Sequence, residues 1–233
     1  MLNELSLFSG AGGGLLGTSL LGFTHVGYVE KEEYNQKIIA QRIKEGYLNA
    51  APIYNDIETF NDRGYADEYK GMAELVTIGF PCQPHSTASR GKSPKDTMWT
   101  HAAETVKRVQ PTFVLCENVS KRAIEMAERD LHAMGYFTRK TKISAKDLGA
   151  DHNRIRYWLL AYTDHESELL CGQHAEMEKL PLIQTSVWET FPDYSGMVDG
   201  DANRVDRFKA AGNAQIPAMV VAAWYTLTIP QLG

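Results

Sequence analysis

Residues 4–17 read Glu-Leu-Ser-Leu-Phe-Ser-Gly-Ala-Gly-Gly-Gly-Leu-Leu-Gly. An apolar run typical of a β-strand, at residues 4–8, leads into a glycine-rich turn, and a helical pattern follows at residues 13–21. Glycine lets the backbone approach a ligand closely, and the first N–H groups of a helix are available to bind one. The stretch therefore predicts the first strand, turn and helix of an α/β fold that holds a nucleotide-like cofactor.

Short apolar runs and helical patterns continue to alternate along the chain. Further strands are predicted at residues 26–30, 75–80, 113–117, 137–143 and 156–161. Further helices are predicted at residues 33–44, 101–109, 121–134 and 216–227, with Ser120 and Gly135 bounding the third of these and Pro217 in the first turn of the last. This order is typical of a layered α/β sheet with crossover helices.

Composition sets the broad class of the protein. The 233 residues, 43% of them hydrophobic, are enough to bury the core of one domain, or of one domain and a small appendage. The three cysteines, Cys82, Cys116 and Cys171, are widely spaced, which argues against disulfides and structural zinc and favours a reducing cytoplasm. With no charged and apolar leader and no apolar run near the ~18 residues of a spanning helix, we expect neither secretion nor membrane insertion.

Charge is unevenly distributed. The formal net charge is -5, but residues 85–158 contain 14 Lys and Arg against 8 Asp and Glu. Because phosphate binding needs only a local positive surface, the basic stretch is compatible with a nucleic-acid-binding face that begins just after Cys82. A solvated charged surface with no partner is the alternative interpretation.

A candidate nucleophile lies in residues 79–86, Gly-Phe-Pro-Cys-Gln-Pro-His-Ser. The two prolines fix φ and withhold N–H donors, so the preceding strand should end in a stiff loop that presents Cys82 to a substrate. A thiol held in this way can attack an electron-poor carbon, although a small buried cysteine is the structural alternative. The following residues, 83–100, are typical of a long loop, and their position favours a lid.

The glycine-rich turn alone leaves the cofactor open. Gly12, Gly14 and Gly17 satisfy the spacing of a dinucleotide-binding fingerprint, and Glu30 ends the second strand where a ribose hydroxyl would be bound. An NAD-dependent oxidoreductase would use these residues for NAD. A methyltransferase would use them for S-adenosylmethionine, whose ribose also needs a carboxylate.

Seven short motifs, taken in order, resemble those of the DNA cytosine-5 methyltransferase family. They are Phe8 to Gly13 (Phe-x-Gly-x-Gly-Gly), Glu30, Asp56-Ile57, Pro81-Cys82-Gln83, Glu117-Asn118-Val119, Arg154 with Arg156, and Gly212-Asn213-Ala214. The resemblance implies a Rossmann-like S-adenosylmethionine-dependent methyltransferase sheet with helices on both faces, plus a small irregular insertion.

The resemblance also implies the catalytic residues Cys82, Glu117, Arg154 and Arg156. Cys82 would add its thiolate to cytosine C6, which makes C5 nucleophilic, and Arg154 would favour the thiolate. Glu117 would donate to ring N3 and accept from the N4 amino group, which requires a raised pKa. Arg156 would contact the O2 edge of the base.

By the same resemblance, S-adenosylmethionine is the cofactor, S-adenosylhomocysteine the product, and no metal is needed. The implied cofactor site comprises Phe8, Gly10, Ala11, Gly12, Gly13, Glu30, Asp56, Ile57, Gly79, Pro81, Met98, Asn213 and Ala214. Glu30 would bind the ribose, with Asp56 and Ile57 at the adenine. Lys31 stands where many family members have an apolar or aromatic residue, which leaves the cofactor affinity open.

The implied substrate is a cytosine rotated out of double-stranded DNA. Positions expected to bind DNA are Gln83, Ser86, Arg90, Lys92 and Lys95. We expect a catalytic and cofactor-binding domain at residues 1–163, a reduced target-recognition insertion at 164–202, and a segment at 203–233 that completes the domain. So short an insertion suggests degenerate recognition or help from a protein partner. We expect a monomer in a prokaryotic or viral setting, in the cytoplasm near the nucleoid.

Three alternatives remain open on the sequence alone. A tRNA cytosine-5 methyltransferase shares all the catalytic motifs. An NAD-dependent oxidoreductase would explain the glycine-rich turn but not residues 81–83 or 117–119. A catalytically idle DNA-binding relative is disfavoured by the joint presence of Cys82, Glu117, Arg154 and Arg156.

Overall fold

The computed structural model describes residues 1–81, 98–163 and 215–228. Within them, seven strands form one mixed β-sheet. The strands are β1 (Asn3–Leu7), β2 (Thr24–Val29), β3 (Ile53–Tyr54), β4 (Leu75–Ile78), β5 (Phe113–Asn118), β6 (Phe137–Ser144) and β7 (Ile155–Tyr162).

The described part of the chain also contains six α-helices and two short 3-10 helices. The α-helices are α1 (Gly13–Leu20), α2 (Glu33–Lys44), α3 (Ile57–Asp62), α4 (Met98–Val109), α5 (Lys121–Ala133) and α6 (Pro217–Thr228). The 3-10 helices span Tyr65–Tyr69 and Ala145–Leu148. None of the helices in these described residues is long and apolar enough to cross a membrane.

The strand order in the sheet is β3-β2-β1-β4-β5-β7-β6. Strands β1 to β5 are parallel to one another, whereas β7 is antiparallel to both β5 and β6. The chain leaves β1 for β2 on one side and later returns to β4 on the other, so the sheet has a topological switch point between β1 and β4. In open α/β sheets, ligands bind at the carboxyl edge beside such a point.

Strand β5 shows how the two faces of the sheet are covered. Because side chains alternate along a strand, Val114 and Cys116 join the core cluster that includes residues of α4 and α5. Phe113 and Leu115 join the cluster on the other face, which includes residues of α6. All six residues of β5 are buried. Helices therefore pack on both faces, and the predicted α/β fold is confirmed.

The structure contains every predicted strand and helix, with some corrections at their ends. Phe8 and Phe80 lie outside the strands assigned to them, and Phe8 has a φ of 55° because the chain turns sharply there. Helix α4 begins at Met98, three residues before the predicted start. The sequence did not predict β3 or α3, which have two and six residues, because such short elements show no periodicity.

One polar pair is buried between β1 and β2. Glu4 is 1% exposed and His25 is 2% exposed, and Glu4 Oε2 lies 3.5 Å from His25 Nε2. Thr77 Oγ1 donates to Glu4 Oε1 at 2.6 Å. Burial raises the pKa of Glu4 to about 7 and lowers the pKa of His25 to about 4. Near pH 6 both groups are therefore neutral in the folded protein.

We expect Glu4→Gln to remove the fall in stability that Glu4 causes as pH rises from 5 to 8. The raised pKa of Glu4 means that its contribution is fully present below the unfolded value near 4.5 and is lost as pH rises through 7. At pH 8 the loss amounts to at most about 3 kcal/mol, and the variant avoids it because a glutamine side chain does not ionise. Melting temperatures of the variant and of the wild type at pH 5 and pH 8 measure the difference.

The control for this prediction is Glu33→Gln, which alters an exposed carboxylate paired with Lys37 on α2. Its melting temperature should follow the wild type at both pH values. Equal pH dependence of melting in Glu4→Gln and the wild type would show that Glu4 is not held neutral by burial.

Candidate active site

A cavity of about 610 Å³ lies at the carboxyl ends of β1, β2, β4 and β5. Its size suits a small-molecule ligand. The sequence-predicted site residues that line it are Phe8, Gly10, Glu30, Asp56, Ile57, Gly79, Pro81, Met98, Glu117 and Arg156. Parallel strands that end at one edge thus bring residues from distant parts of the chain to one site.

The glycine-rich turn is tied to the end of β2 by the Glu30 carboxylate. Gly10 N donates to Glu30 Oε2 at 2.7 Å. Glu32 N and Asn35 Nδ2 donate to Glu30 Oε1 at 2.8 and 3.3 Å. A carboxylate has about four acceptor positions, so these three bonds leave room for one more donor, such as a ribose hydroxyl. Glu30 therefore stabilises the turn, in addition to its predicted role in binding the ribose.

Not all of the predicted turn residues reach the cavity. Ala11, Gly12 and Gly13 follow Gly10 in the same turn but are not among the residues that line it. Gly12 is the N-cap of α1, with a φ of 88°. Gly13 packs against the backbone of Gln215, close to the start of α6.

Asp56 is the N-cap of α3 at another part of the cavity. Its Oδ2 accepts from Thr59 N at 3.0 Å and from Thr59 Oγ1 at 3.1 Å. Its Oδ1 lies 3.6 Å from Lys31 Nζ. Burial works to raise the pKa of Asp56, but the bonds from Thr59 and the charge of Lys31 outweigh it and lower the pKa. Asp56 is thus an ionised acceptor beside a lysine that also lines the cavity.

Glu117 is the buried acid of the site. It is 8% exposed near the end of β5. Its Oε1 lies 2.8 Å from Arg156 Nε, and its Oε2 accepts from Gln215 Nε2 at 3.2 Å. Burial raises the pKa of Glu117, and the opposing effects of Gln215, Arg156 and Arg154 do not cancel this rise. A carboxyl group with a raised pKa is a candidate proton donor.

The two arginines of the predicted pair differ in position. Arg156 lines the cavity and is ion-paired with Glu117. Arg154 is half-buried and is not among the lining residues, but its charge acts on Glu117. Burial lowers the pKa of Arg154, as does the nearby Arg156, whereas Glu117 opposes the shift. Glu117 therefore lies beside two guanidinium groups from the β7 region of the chain.

Two residues near the site had no individual role in the sequence analysis. Asn118 Nδ2 donates to the carbonyl of Phe80 at 2.9 Å, and Asn118 Oδ1 accepts from Ser120 N at 2.9 Å. Asn118 thereby fixes the chain just before Pro81, where the predicted nucleophile loop begins. Gln215 is the second residue. Its contact with Glu117 joins positions 98 residues apart, and no local pattern indicates such a contact.

Several predicted site residues lie outside the described residues. They are Cys82, Gln83, Ser86, Arg90, Lys92, Lys95, Asn213 and Ala214. Across residues 1–81, 98–163 and 215–228, no group of three or more His, Cys, Asp or Glu side chains is arranged to hold a metal ion.

Comparison with known proteins identifies the family. A model of C-5 cytosine-specific DNA methylases matches residues 2–217. The chain belongs to this family. The chain resembles Type II methyltransferase M.NgoBI of Neisseria gonorrhoeae, with 29% identity over 175 residues that cover 71% of the chain and 52% of that protein. It resembles M.CviJI of Paramecium bursaria Chlorella virus IL3A with 27% identity, covering 70% of the chain and 44% of that protein.

Solved structures agree with this membership in the methylase family. A putative DNA modification methyltransferase from an Escherichia coli prophage is 25% identical, with a TM-score of 0.55 over 71% of this chain and 47% of that one. The S. pombe Dnmt2 methyltransferase is 20% identical, with a TM-score of 0.56 over 72% of this chain and 55% of that one, and shares the fold. The chain spans about half the length of the curated relatives named above. The predicted family and its Rossmann-like methyltransferase fold are confirmed.

Proposed function

We propose that this chain transfers a methyl group from S-adenosylmethionine to C5 of cytosine in double-stranded DNA. The observation that carries the proposal is the meeting of two parallel strand ends at one cavity. Strand β4 leads to Pro81, the residue before Cys82, and β5 ends beside the buried Glu117. Family membership supplies the substrate class, and it favours methyl transfer over the NAD-dependent alternative.

The residues of the cavity fit the proposed cofactor. Its volume of about 610 Å³ is sufficient, and Glu30 retains an acceptor position for a ribose hydroxyl. Asp56 and Ile57 lie together at the start of α3, where an acceptor and an apolar surface suit an adenine. When bound, S-adenosylmethionine supplies an electrophilic methyl group. The proposed reaction uses no metal ion.

In the proposed mechanism, Cys82 acts on C6 of a cytosine that has been rotated out of the duplex. The Sγ–C6 bond forms, and the electrons of the C5–C6 double bond become available at C5. Glu117, whose pKa is raised by burial, donates in its protonated form to ring N3 and so stabilises the charge that develops on the ring. After C5 is methylated, its proton leaves to solvent and the C6–Sγ bond breaks, which regenerates the thiolate.

The remaining assignments complete the proposal. Arg154 favours the thiolate of Cys82, and Arg156, which pairs with Glu117, contacts the O2 edge of the base. Gln83, Ser86, Arg90, Lys92 and Lys95 bind the DNA. Residues 1–163 with residues 203–233 form the catalytic domain, and residues 164–202 are a reduced target-recognition insertion that reads a short or degenerate sequence. The chain acts as a monomer in a prokaryotic or viral setting, near the nucleoid.

Labelled S-adenosylmethionine tests the proposal directly. The purified chain is incubated with duplex DNA of mixed sequence or with tRNA, and labelled bases are identified after digestion. We expect 5-methylcytosine in the DNA, and none with Cys82→Ala because the attacking thiolate is absent. Label found only in tRNA would show that tRNA, and not DNA, is the substrate. Label in neither nucleic acid would contradict the proposal.

A further inference from the structure

Gln215 connects the far end of the chain to the buried acid. It lies two residues before α6, and its Nε2 donates to Glu117 Oε2 at 3.2 Å. The other carboxyl oxygen of Glu117 is held by Arg156 Nε at 2.8 Å. Both oxygens of the carboxyl group are therefore fixed, one by a cationic donor and one by a neutral amide.

The Gln215 side chain fits between backbone segments that have no side chains. A Cβ at Gly14 would collide with Gln215 Oε1, and a Cβ at Gly79 would lie 2.9 Å from Gln215 Nε2. Separations below 3.0 Å are not tolerated without movement of the neighbouring atoms. Glycines at the start of α1 and after β4 thus leave the space in which the amide reaches Glu117. A larger residue at either position would displace the amide.

We infer that Gln215 is a positioning residue, whose amide orients the Glu117 carboxyl group that binds the target base. The inference rests on the proposed function. An N–H donor also stabilises the ionised form of a carboxyl group, so Gln215 holds the pKa of Glu117 below the value that burial alone would produce. Gln215 thereby lowers the pH above which Glu117 no longer donates a proton.

Other charged groups act on Glu117 as well. Of the described residues, Arg156 in β7 and Arg154 just before it act on the carboxyl group. The remaining ionisable residues that line the same cavity are Glu30, Lys31, Glu32, Tyr34 and Asp56. All of these residues are unchanged when Gln215 is replaced. A difference in the pKa of Glu117 between the variant and the wild type therefore comes from the loss of the amide.

The test variant is Gln215→Met, which keeps the length of the side chain and removes the donor. Glu117 works in its protonated form, so the rate falls as pH rises through its pKa. Without the amide that pKa is higher, and we expect the alkaline fall of kcat to move to higher pH. The maximum rate should be about 5- to 50-fold lower because the carboxyl group loses its fixed orientation. The measurement is kcat between pH 6 and 10, with a thermal melt to verify folding.

Gln41→Met is the matched control. Gln41 donates to Glu45 Oε1 at 2.8 Å on the exposed surface of α2, so the control removes the same kind of bond away from the cavity. Its pH profile should equal that of the wild type. A lower rate in Gln215→Met would overturn the inference if the fall of kcat at high pH stayed at the wild-type pH. A fall of kcat that moved to lower pH would overturn it as well.

Gln215→Glu serves if the methionine variant does not fold. It keeps the shape of the side chain and places a second carboxyl group beside Glu117. Two adjacent carboxyl groups share a proton, so the apparent pKa of the pair rises. The alkaline limb should again move to higher pH, and an unmoved limb would contradict the role assigned to Gln215.

A direct titration separates this inference from the proposed function. Carbon-13 NMR of the glutamate carboxyl groups, with Glu117 assigned by Glu117→Gln, gives its pKa without any turnover. We expect a higher pKa in Gln215→Met than in the wild type. Such a shift in a protein with no methyl transfer would contradict the proposed function alone. Methyl transfer without the shift would contradict the role of Gln215 alone.

Discussion

Glu117→Gln should lower kcat for cytosine methylation by about 10²- to 10⁴-fold, the usual contribution of a positioned proton donor. The amide that replaces the carboxyl group keeps a donor and an acceptor for the base edge but cannot transfer a proton. DNA affinity should therefore change much less than kcat. A thermal melt verifies folding, because the amide cannot accept from both Arg156 and Gln215 as the carboxyl group does.

Single-turnover methylation and equilibrium DNA binding measure the two effects separately. The control is Glu125→Gln, which removes the carboxylate paired with Lys121 on α5 at 3.4 Å. That variant should methylate at the wild-type rate. A Glu117→Gln protein with an undiminished rate would show that the buried acid takes no part in the reaction.

Trp224→Ala should cost about 3–5 kcal/mol of unfolding free energy, the range measured for large aromatic residues in protein cores. Trp224 is 1% exposed on α6, and its ring centroid lies 4.9 Å from that of Phe23 and 5.8 Å from that of Phe113. The substitution leaves a cavity between α6 and the sheet. Urea unfolding of the purified protein measures the loss.

Thr226→Ala is the control on the same helix, because Thr226 is exposed. Its unfolding free energy should stay within about 0.5 kcal/mol of the wild type. Equal stability of Trp224→Ala and the wild type would mean that α6 does not complete the core. Loss of methylation in Trp224→Ala should follow its loss of folded protein, since Trp224 does not line the cavity.

Most of the strands that the sequence predicted are runs of apolar residues, whereas β6, Phe-Thr-Arg-Lys-Thr-Lys-Ile-Ser, is mainly polar. Strand β5 was the clearest, because all of its residues are buried and both faces are apolar. Its predicted end at Glu117, beside the parallel β4, also placed the acid correctly at the cavity. A parallel sheet aligns strand ends, so the strand pattern predicted where Glu117 lies, whereas its proposed role came from the family resemblance.

Other features depend on contacts that no local pattern contains. The antiparallel insertion of β7 between β5 and β6 is a matter of strand pairing, and the sequence shows only that two strands are present. Asp56 was predicted from a motif, yet its role as the cap of α3 follows from its hydrogen bonds with Thr59. Gln215 was not predicted because its partner, Glu117, is distant in sequence.

The covalent role of Cys82 is the central claim, and 5-fluorocytosine in duplex DNA tests it most directly. Fluorine at C5 cannot leave as the proton does, so the Sγ–C6 bond should persist after methylation. With S-adenosylmethionine present, we expect a protein–DNA adduct that survives denaturing electrophoresis and is absent with Cys82→Ser. DNA that dissociates from the wild type under these conditions, or an adduct that persists in Cys82→Ser, would contradict the mechanism.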